Sequence, residues 1–294
     1  MSASAGWRRL GTGTYLMVLE PLRLNVGLVV GRERALLLET GHSLEAGRFL
    51  VAVARSKTAL ELGAVNSHCH WDHCFGNGAL EGPNVWSQRR CAERLRWEGE
   101  AQRREVAFRL RQGDWDDLRS LKGVGSDVAA EVRASPLTVP ECLVEDEVEL
   151  DLGGRLVTLI HPGRGHTDND LAVWLPDQRI LFSGDLLDTD GPPGFQDSYP
   201  LEWPESLGAL LALAPHRVVP GHGPAVESEV MRQQQRDLEQ LATLARQGYR
   251  QRQRPGELDS QTAFPGRAGQ TAIARAYQQL AEASTGAWVE RQPG

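Results

Sequence analysis

Lysine is almost absent from this chain of 294 residues. Only Lys57 and Lys122 are lysines, so arginine supplies nearly all of the 32 basic side chains. The 39 acidic residues outnumber them and give a formal net charge of −7. Proteins that bind nucleic-acid backbones through bulk charge carry a surplus of positive charge. This chain carries a surplus of negative charge, so we expect no nucleic-acid partner. Mechanisms that need several lysines are disfavoured as well.

Cysteine and long apolar runs are scarce too. The four cysteines lack CxxC spacing, and no apolar stretch of the kind found in secretory signals follows Arg8 and Arg9. We therefore expect reduced thiols and a cytoplasmic protein. The longest apolar stretches, such as Leu207–Ala214, fall far short of the roughly 20 residues that cross a bilayer, so no membrane partner is expected. An apolar content of 40% is nevertheless typical of a globular protein with a full core.

Hydrophobic periodicity predicts strands followed by a helix, twice along the chain. Strands are predicted at 15–19, 25–30, 35–38, 64–66, 147–152, 155–160, 171–175, 179–182 and 217–219. One helix is predicted to begin after Ser43, and another to begin at Pro204. Tight hairpins join antiparallel neighbours only. The pattern therefore predicts an α/β (α+β) sheet sandwich flanked by helices, in preference to a doubly wound parallel sheet.

Two further segments are helical and polar. Charged helical stretches at 88–111 and 127–133 predict a helical insertion at 87–140, which is either a solvated cover for a sheet face or a lid over a substrate pocket. A polar helix at 228–247 is predicted to end at Gly248, with a loop to Gln270 and a last helix at 271–283. The whole chain, 1–294, is predicted to be a single domain with this insertion and a C-terminal loop and helix at 249–294.

The most informative motif is the hexad His68-Cys69-His70-Trp71-Asp72-His73. Residues two apart in an extended chain point the same way, so His68 and His70 can bind one metal ion. Asp72 and His73 lie where the strand turns towards a helix and can reach a second ion. Three of the chain's eight histidines fall within this hexad, which favours a metal site over a histidine-rich surface turn.

Three more candidate ligands follow predicted strands and have glycine beside them. They are His166, Asp185 and His222, in the sequences Gly165-His166, Gly184-Asp185 and Gly221-His222-Gly223. Loops at one edge of a sheet can converge on one site, and glycine allows the backbone to approach closely. His42, His161 and His216 have no such setting and are interpreted as structural or solvent-facing.

Together these motifs resemble the metallo-β-lactamase-fold hydrolases, a superfamily with the signature HxHxDH followed by distant His, Asp and His ligands. The resemblance spans roughly residues 22–226, and it implies a four-layer αββα sandwich with a dinuclear metal site. By this resemblance one ion is held by His68, His70 and His166, the other by Asp72, His73 and His222, and Asp185 bridges them.

The resemblance implies two Zn²⁺ ions per chain, although iron or manganese also suits nitrogen and carboxylate ligands. A hydroxide formed from water between the ions would attack a small ester, thioester, lactone or amide. Asp72 would act as a catalytic residue that orients this nucleophile or relays its proton. Tyr199, in the glycine- and proline-rich stretch after Asp185, is a candidate hydrogen-bond donor to a small-molecule substrate.

The chain departs from the family pattern at Glu39-Thr40-Gly41, where Asp-Thr-Gly or Asp-Ser-Gly is usual. A carboxylate that orients a ligand histidine is therefore one methylene longer. β-Lactamases of the common types lack the bridging aspartate that Asp185 provides, and glutathione thioesterases typically use lysines. Both subtypes are disfavoured, whereas lactonases stay open. Nucleases are disfavoured because they would need a basic groove. Flavodiiron proteins are disfavoured because they usually carry Glu at the position of His70.

Two functions from other classes are alternatives to the zinc hydrolase. One is an oxidoreductase with a single iron ion, similar to the persulfide dioxygenases. The other is a structural metal site, which is disfavoured because seven ligands for two ions leave positions open for water, and structural zinc normally does not. Oligomeric state is left open.

Overall fold

The computed structural model describes residues 6–82, 84–113 and 125–289. Within them the strands are β1 (Arg8–Gly11), β2 (Thr14–Leu19), β3 (Leu24–Val30), β4 (Arg34–Leu38), β5 (Glu61–Val65), β6 (Val85–Gln88), β7 (Cys142–Val144), β8 (Glu147–Asp151), β9 (Leu156–Ile160), β10 (Ala172–Leu175), β11 (Ile180–Asp188) and β12 (Arg217–His222). The α-helices are α1 (Leu44–Arg55), α2 (Trp71–Cys74), α3 (Arg89–Gln112), α4 (Gly125–Ala134), α5 (Trp203–Ala212), α6 (Ser228–Arg250) and α7 (Arg267–Val289). Among the helices in these ranges, none is long and apolar enough to cross a membrane.

The strands form two groups that meet along a narrow seam. In order across the sheet they run β7-β6-β5-β4-β3-β12-β11-β10-β9-β8, with β2 and β1 beside β3. Strands β3 and β12 pair only through His222 and Leu24, so the two groups are free to fold over each other. The predicted hairpins are antiparallel, as expected. Strands β4 to β7 are parallel because helices rather than tight turns connect most of them.

The side chains show that the two groups face each other as a sandwich. On β4, Leu36 and Leu38 join a core cluster that includes Val173 of β10, from the other group. The alternating residue Leu37 instead packs in a cluster with α1, and Trp174 packs in one with α5, α6 and α7. A period of two residues thus separates the interior from the outer faces. The predicted αββα layers are confirmed.

The segment predicted as an insertion contains helices α3 and α4, between the paired strands β6 and β7. They share a hydrophobic cluster with α2 that includes Cys69, Trp71, Leu95, Leu110 and Val132. Cys69 therefore packs among helices and not in a sheet. Residues 114–124 of this segment, which include Lys122, lie outside the described residues.

Some predicted boundaries were wrong. Strands β1, β6 and β7 were missed because each is only three or four residues long. Helix α6 does not end at Gly248 but continues to Arg250. A side chain at Gly248 would collide with Leu258 and with the hydroxyl of Tyr277, so this glycine allows close packing and is not a helix cap. Helix α7 begins four residues earlier than predicted, at Arg267.

Candidate metal centre

The seven predicted ligands converge at one edge of the sandwich. His68 and His70 lie in the turn after β5, Asp72 and His73 in α2, and His166 in the loop between β9 and β10. Asp185 and His222 were expected in loops but lie within β11 and at the last residue of β12. The side-chain ligand atoms form two groups, each within 4.8 Å: His68, His70, His166 and Asp185 in one, and Asp72, His73 and His222 in the other.

His68, His70 and His166 form what we call the three-histidine subsite. His70 Nδ1 lies 2.8 Å from His68 Nε2 and 3.0 Å from His166 Nε2. The opposite ring nitrogens face groups of the protein: His68 Nδ1 lies 2.9 Å from Ser67 Oγ, and His166 Nδ1 lies 3.1 Å from the carbonyl oxygen of Gly194. Three imidazoles thus present one nitrogen each to a common point, which is the arrangement that a bound metal ion requires.

Burial keeps two of these imidazoles neutral. It lowers the pKa of His68 well below its usual value, with the neighbouring His73 and His70 acting in the same direction. Burial and His70 together lower the pKa of His166 to about 4. A metal ion binds the neutral form of imidazole, so both residues are already in the ligand form at neutral pH.

Asp72, His73 and His222 form the second group, which we call the Asp72 subsite. Asp72 Oδ2 lies 3.2 Å from His222 Nε2 and 3.5 Å from His73 Nε2. The other nitrogen of His222 lies 3.1 Å from the carbonyl oxygen of Leu22. All three side chains are at least largely buried, so the charge of Asp72 is compensated within the subsite.

Asp185 lies between the two subsites. Its Oδ1 is 3.4 Å from His73 Nε2, and its Oδ2 is 3.7 Å from His166 Nε2 and 3.9 Å from His222 Nε2. A side chain at Gly221 would collide with this carboxylate, so the glycine on β12 makes room for it. His73 Nε2 and Asp185 Oδ1 are buried and have no hydrogen-bond partner. Two such atoms facing each other fit a shared cation, which would satisfy both.

The carboxylates and histidines of the Asp72 subsite shift one another's pKa. Burial lowers the pKa of His73, but Asp185, Asp72 and Glu39 together hold it well above its usual value. Asp185 and Asp72 likewise overcome burial and raise the pKa of His222 to about 9. Burial raises the pKa of Asp72, yet His73 and His222 bring it down to about 2. Without a metal ion, protons on His73 and His222 would supply the positive charge that balances Asp72 and Asp185.

Glu39 does reach a ligand despite the departure from the family pattern. Its Oε1 lies 3.3 Å from His73 Nδ1, and its Oε2 accepts a hydrogen bond of 3.2 Å from the backbone amide of Ser67. Glu39 is buried and has a left-handed backbone with φ of 74°. The longer side chain therefore still orients His73.

Sequence reasoning missed several residues that support the ligands. Asp197 Oδ2 lies 3.2 Å from His70 Nε2, and Asn169 Oδ1 accepts a hydrogen bond of 2.9 Å from the amide of Cys69. Ser67 Oγ touches both His68 and His73. Ser67 adjoins the hexad and so could have been suspected. Asp197 lies among glycine and proline with no periodic pattern to single it out.

Tyr199 lies beside the C-terminal helix. Its ring packs against the guanidinium of Arg164, 4.5 Å from the ring centroid, and that of Arg275 on α7, 5.7 Å away. Its amide donates to the carbonyl of Gly165, next to His166. A role in substrate binding stays a prediction.

Of the other histidines, His216 is exposed. His42 is buried, and its Nε2 lies 3.1 Å from Glu131 Oε2.

A sequence profile of the metallo-beta-lactamase superfamily matches residues 19–222, which include all seven candidate ligands. The chain belongs to this superfamily. The Drosophila melanogaster "Beta-lactamase-like protein 2 homolog" is 23% identical over 227 residues, covering 76% of this chain and 65% of that protein. The "Metallo-beta-lactamase type 2" of Pseudomonas aeruginosa is 28% identical over 99 residues, covering 34% of this chain and 40% of the relative.

Other curated relatives match shorter pieces. The Caenorhabditis elegans "Beta-lactamase-like protein 2 homolog" is 34% identical over 87 residues, 30% of this chain but only 28% of its own length. Among solved structures, TMB-1 has a TM-score of 0.58 at 21% identity, with 81% of this chain and 98% of that chain covered. FIM-1 from Pseudomonas aeruginosa, in a mono-zinc form, has a TM-score of 0.60 at 17% identity, with coverages of 80% and 95%. At these identities the structures establish the fold.

Proposed function

We propose that this protein is a dinuclear zinc hydrolase that acts on a small ester, thioester, lactone or amide. The observation that carries the proposal is the position of Asp185, whose carboxylate lies 3.4 and 3.9 Å from His73 and His222 in the Asp72 subsite and 3.7 Å from His166 in the three-histidine subsite. One carboxylate shared by two groups of ligands is suited to a pair of ions about 3.5 to 4 Å apart. The nitrogen and oxygen donors suit zinc, and iron or manganese would also be accepted.

When bound, the two ions would supply Lewis acidity and lower the pKa of a coordinated water towards neutrality. The residues of the chain would prepare the site for this chemistry. Asp72, with a pKa of about 2, stays ionised at neutral pH and can accept a proton from the attacking water or orient it. Glu39 and the carbonyl of Leu22 hold His73 and His222 in place, so little rearrangement is needed when substrate arrives.

The substrate class rests on residues outside the ligand set. Asp185 occupies the bridging position that β-lactamases of the common types lack, which disfavours a β-lactam as the main substrate. Scarcity of lysine disfavours glutathione thioesters. We therefore propose an ester or lactone before the other classes, with Tyr199 as a candidate contact. We also propose a cytoplasmic location, consistent with the buried cysteines at 69, 74 and 91, which form no disulfide bond.

The test is metal quantification on protein purified without chelators, followed by assays with lactones, esters, thioesters and a β-lactam. We expect two zinc ions per chain and turnover of at least one lactone or ester. His70→Ala should abolish turnover and leave the fold intact, whereas His216→Ala, at an exposed histidine, should change neither. One iron per chain with oxygen uptake on a thiol persulfide would overturn the proposal, and so would turnover by the metal-free protein.

A further inference from the structure

The long helix α3 contacts the loops that carry metal ligands. Its polar contacts with these loops involve Arg90, Arg94 and Gln102, which lie on three successive parts of the helix. Arg90 and Arg94 reach Asp168, two residues after His166, and Gln102 reaches Cys69, between His68 and His70. The helix is therefore placed to act on the three-histidine subsite in particular.

Arg94 makes the central contact. Its Nε lies 3.0 Å from Asp168 Oδ1, and its second terminal nitrogen lies 3.1 Å from Asp168 Oδ2, so the pair is bidentate. Asp168 is two residues after His166. The remaining terminal nitrogen of Arg94 lies 3.8 Å from Asp197 Oδ2, the same oxygen that lies 3.2 Å from His70 Nε2. One guanidinium thus connects the supports of two ligands.

The other two contacts are made to the backbone. Gln102 donates a hydrogen bond of 3.2 Å to the carbonyl of Cys69, the residue between His68 and His70. Arg90 donates one of 3.3 Å to the carbonyl of Asp168. Together with Arg94 they reach the surroundings of all three histidines. Arg94 is only 27% exposed, so solvent does not fully screen its interaction with the two aspartates.

The Asp72 subsite is supported differently. His73 is held by Glu39, which follows β4, and His222 is held by the carbonyl of Leu22, before β3. Neither of these two supports comes from the helices at 89–134, although α2, which carries Asp72 and His73, packs against α3 and α4 through apolar side chains. Among the described polar contacts, those of Arg94 with the ligand loops concern the three-histidine subsite.

We propose that Arg94 is a positioning residue through which α3 tightens metal binding at the three-histidine subsite and leaves the Asp72 subsite unaffected. This rests on the proposed metal-dependent function and assigns a role to the insertion other than a lid or a cover. A fixed Asp197 holds the His70 ring with Nδ1 directed at the metal, and a fixed Asp168 holds the loop of His166. Supporting residues of this kind typically change metal affinity about 10- to 100-fold.

The test measures zinc affinity by competition with a chelator in two backgrounds. His222→Ala weakens the Asp72 subsite, so the tighter affinity that remains reports on the three-histidine subsite, and His166→Ala does the reverse. We expect Arg94→Met to weaken zinc binding about 10-fold or more in the His222→Ala background and to leave it unchanged in the His166→Ala background. Arg96→Met, at an exposed arginine of the same helix, should alter neither affinity.

Two further measurements separate positioning from general damage. Arg94→Lys keeps the charge but not the bidentate fork, so we expect it to restore part of the affinity. With Co²⁺, Arg94→Met should change the absorption of the three-histidine subsite alone. Equal weakening in both backgrounds, or no weakening in either, would overturn the inference. If the unmutated protein binds no metal at all, the proposed function fails first, and that result is recognisably different.

Discussion

Metal removal should leave a protein that loses stability as the pH rises from 6.5 to 8.5, because the pKa values of two largely buried histidines are raised in the folded state. The pKa of His222 is raised to about 9 from 6.5, since Asp185 and Asp72 outweigh burial. Between pH 6.5 and about 9, the folded state therefore keeps a proton on His222 that the unfolded chain loses. This stabilisation is complete below pH 6.5 and is lost as the pH rises through 9. His73 acts in the same direction.

On the acidic side of pH 6.5, groups with opposite effects compete. Burial and His70 lower the pKa of His166 to about 4 from 6.5, so the unfolded chain takes up protons that the folded state refuses. The contribution of His166 therefore falls as the pH drops from 6.5 towards 4, whereas Asp170, with a pKa raised by burial to about 8, and Asp188, with a pKa raised by burial to about 6, contribute more stability over the same range. Each gap, from 6.5 to 9 and from 6.5 to 4, corresponds to about 3 kcal/mol. Against a typical total of about 5 to 15 kcal/mol, the alkaline loss is readily measured.

The assay is urea unfolding of chelator-treated protein at pH 5, 6.5 and 8.5, followed by tryptophan fluorescence. We expect the free energy of unfolding to be lower at pH 8.5 than at pH 6.5. Saturating zinc should remove the alkaline loss, because metal ligands bind as deprotonated groups and zinc replaces the protons. His222→Gln should reduce the alkaline loss in the metal-free protein, and His216→Gln should not. Metal-free stability that is flat or rising from pH 6.5 to 8.5 would refute the reasoning.

Four other perturbations have distinct expected outcomes. Glu39→Gln should weaken zinc binding at the Asp72 subsite about 10- to 100-fold, measured in the His166→Ala background; unchanged affinity would remove Glu39 from the support of His73. Deletion of 87–140 removes α3 together with the apolar contacts that α3 and α4 make with α2, so bound zinc should fall below two ions per chain, whereas loss of a simple lid would raise KM and leave two ions bound. Trp203→Ala should destabilise the fold by about 3 to 5 kcal/mol, because this indole is fully buried, and a loss below 1 kcal/mol would contradict that packing. Ser43→Ala should cost about 1 kcal/mol in the unfolding free energy, because Ser43 Oγ accepts the amide of Ala46 at the start of α1, and an unchanged midpoint would argue against this cap.

The sandwich and the convergence of the seven candidate ligands were predictable because strong local patterns encode them. The apolar run at 35–38 after the turn at 31–34 marks a strand, and the cap at Ser43 marks the start of α1. The hexad carries four ligands in six residues, and glycines mark the three distant ones. Periodicity and motif spacing therefore lead directly to the fold and to the converging side chains.

The support of the ligands could not be predicted in the same way. Arg94, Asp168 and Asp197 come from three separate segments, and only the folded chain brings them together. Short strands such as β7 contain too few residues for a period to be visible, and β7 is held by its pairing with β6. Gly248 shows the opposite error, since a residue that usually ends helices here permits helix packing.

The central claim is that two ions share Asp185 between the three-histidine and Asp72 subsites. The most direct measurement is anomalous diffraction at the zinc edge from crystals of protein grown without chelator. We predict two peaks about 3.5 to 4 Å apart, one bound by His68, His70 and His166 and the other by Asp72, His73 and His222, with Asp185 contacting both. A single peak at full zinc saturation, or an iron edge in place of the zinc edge, would contradict the account.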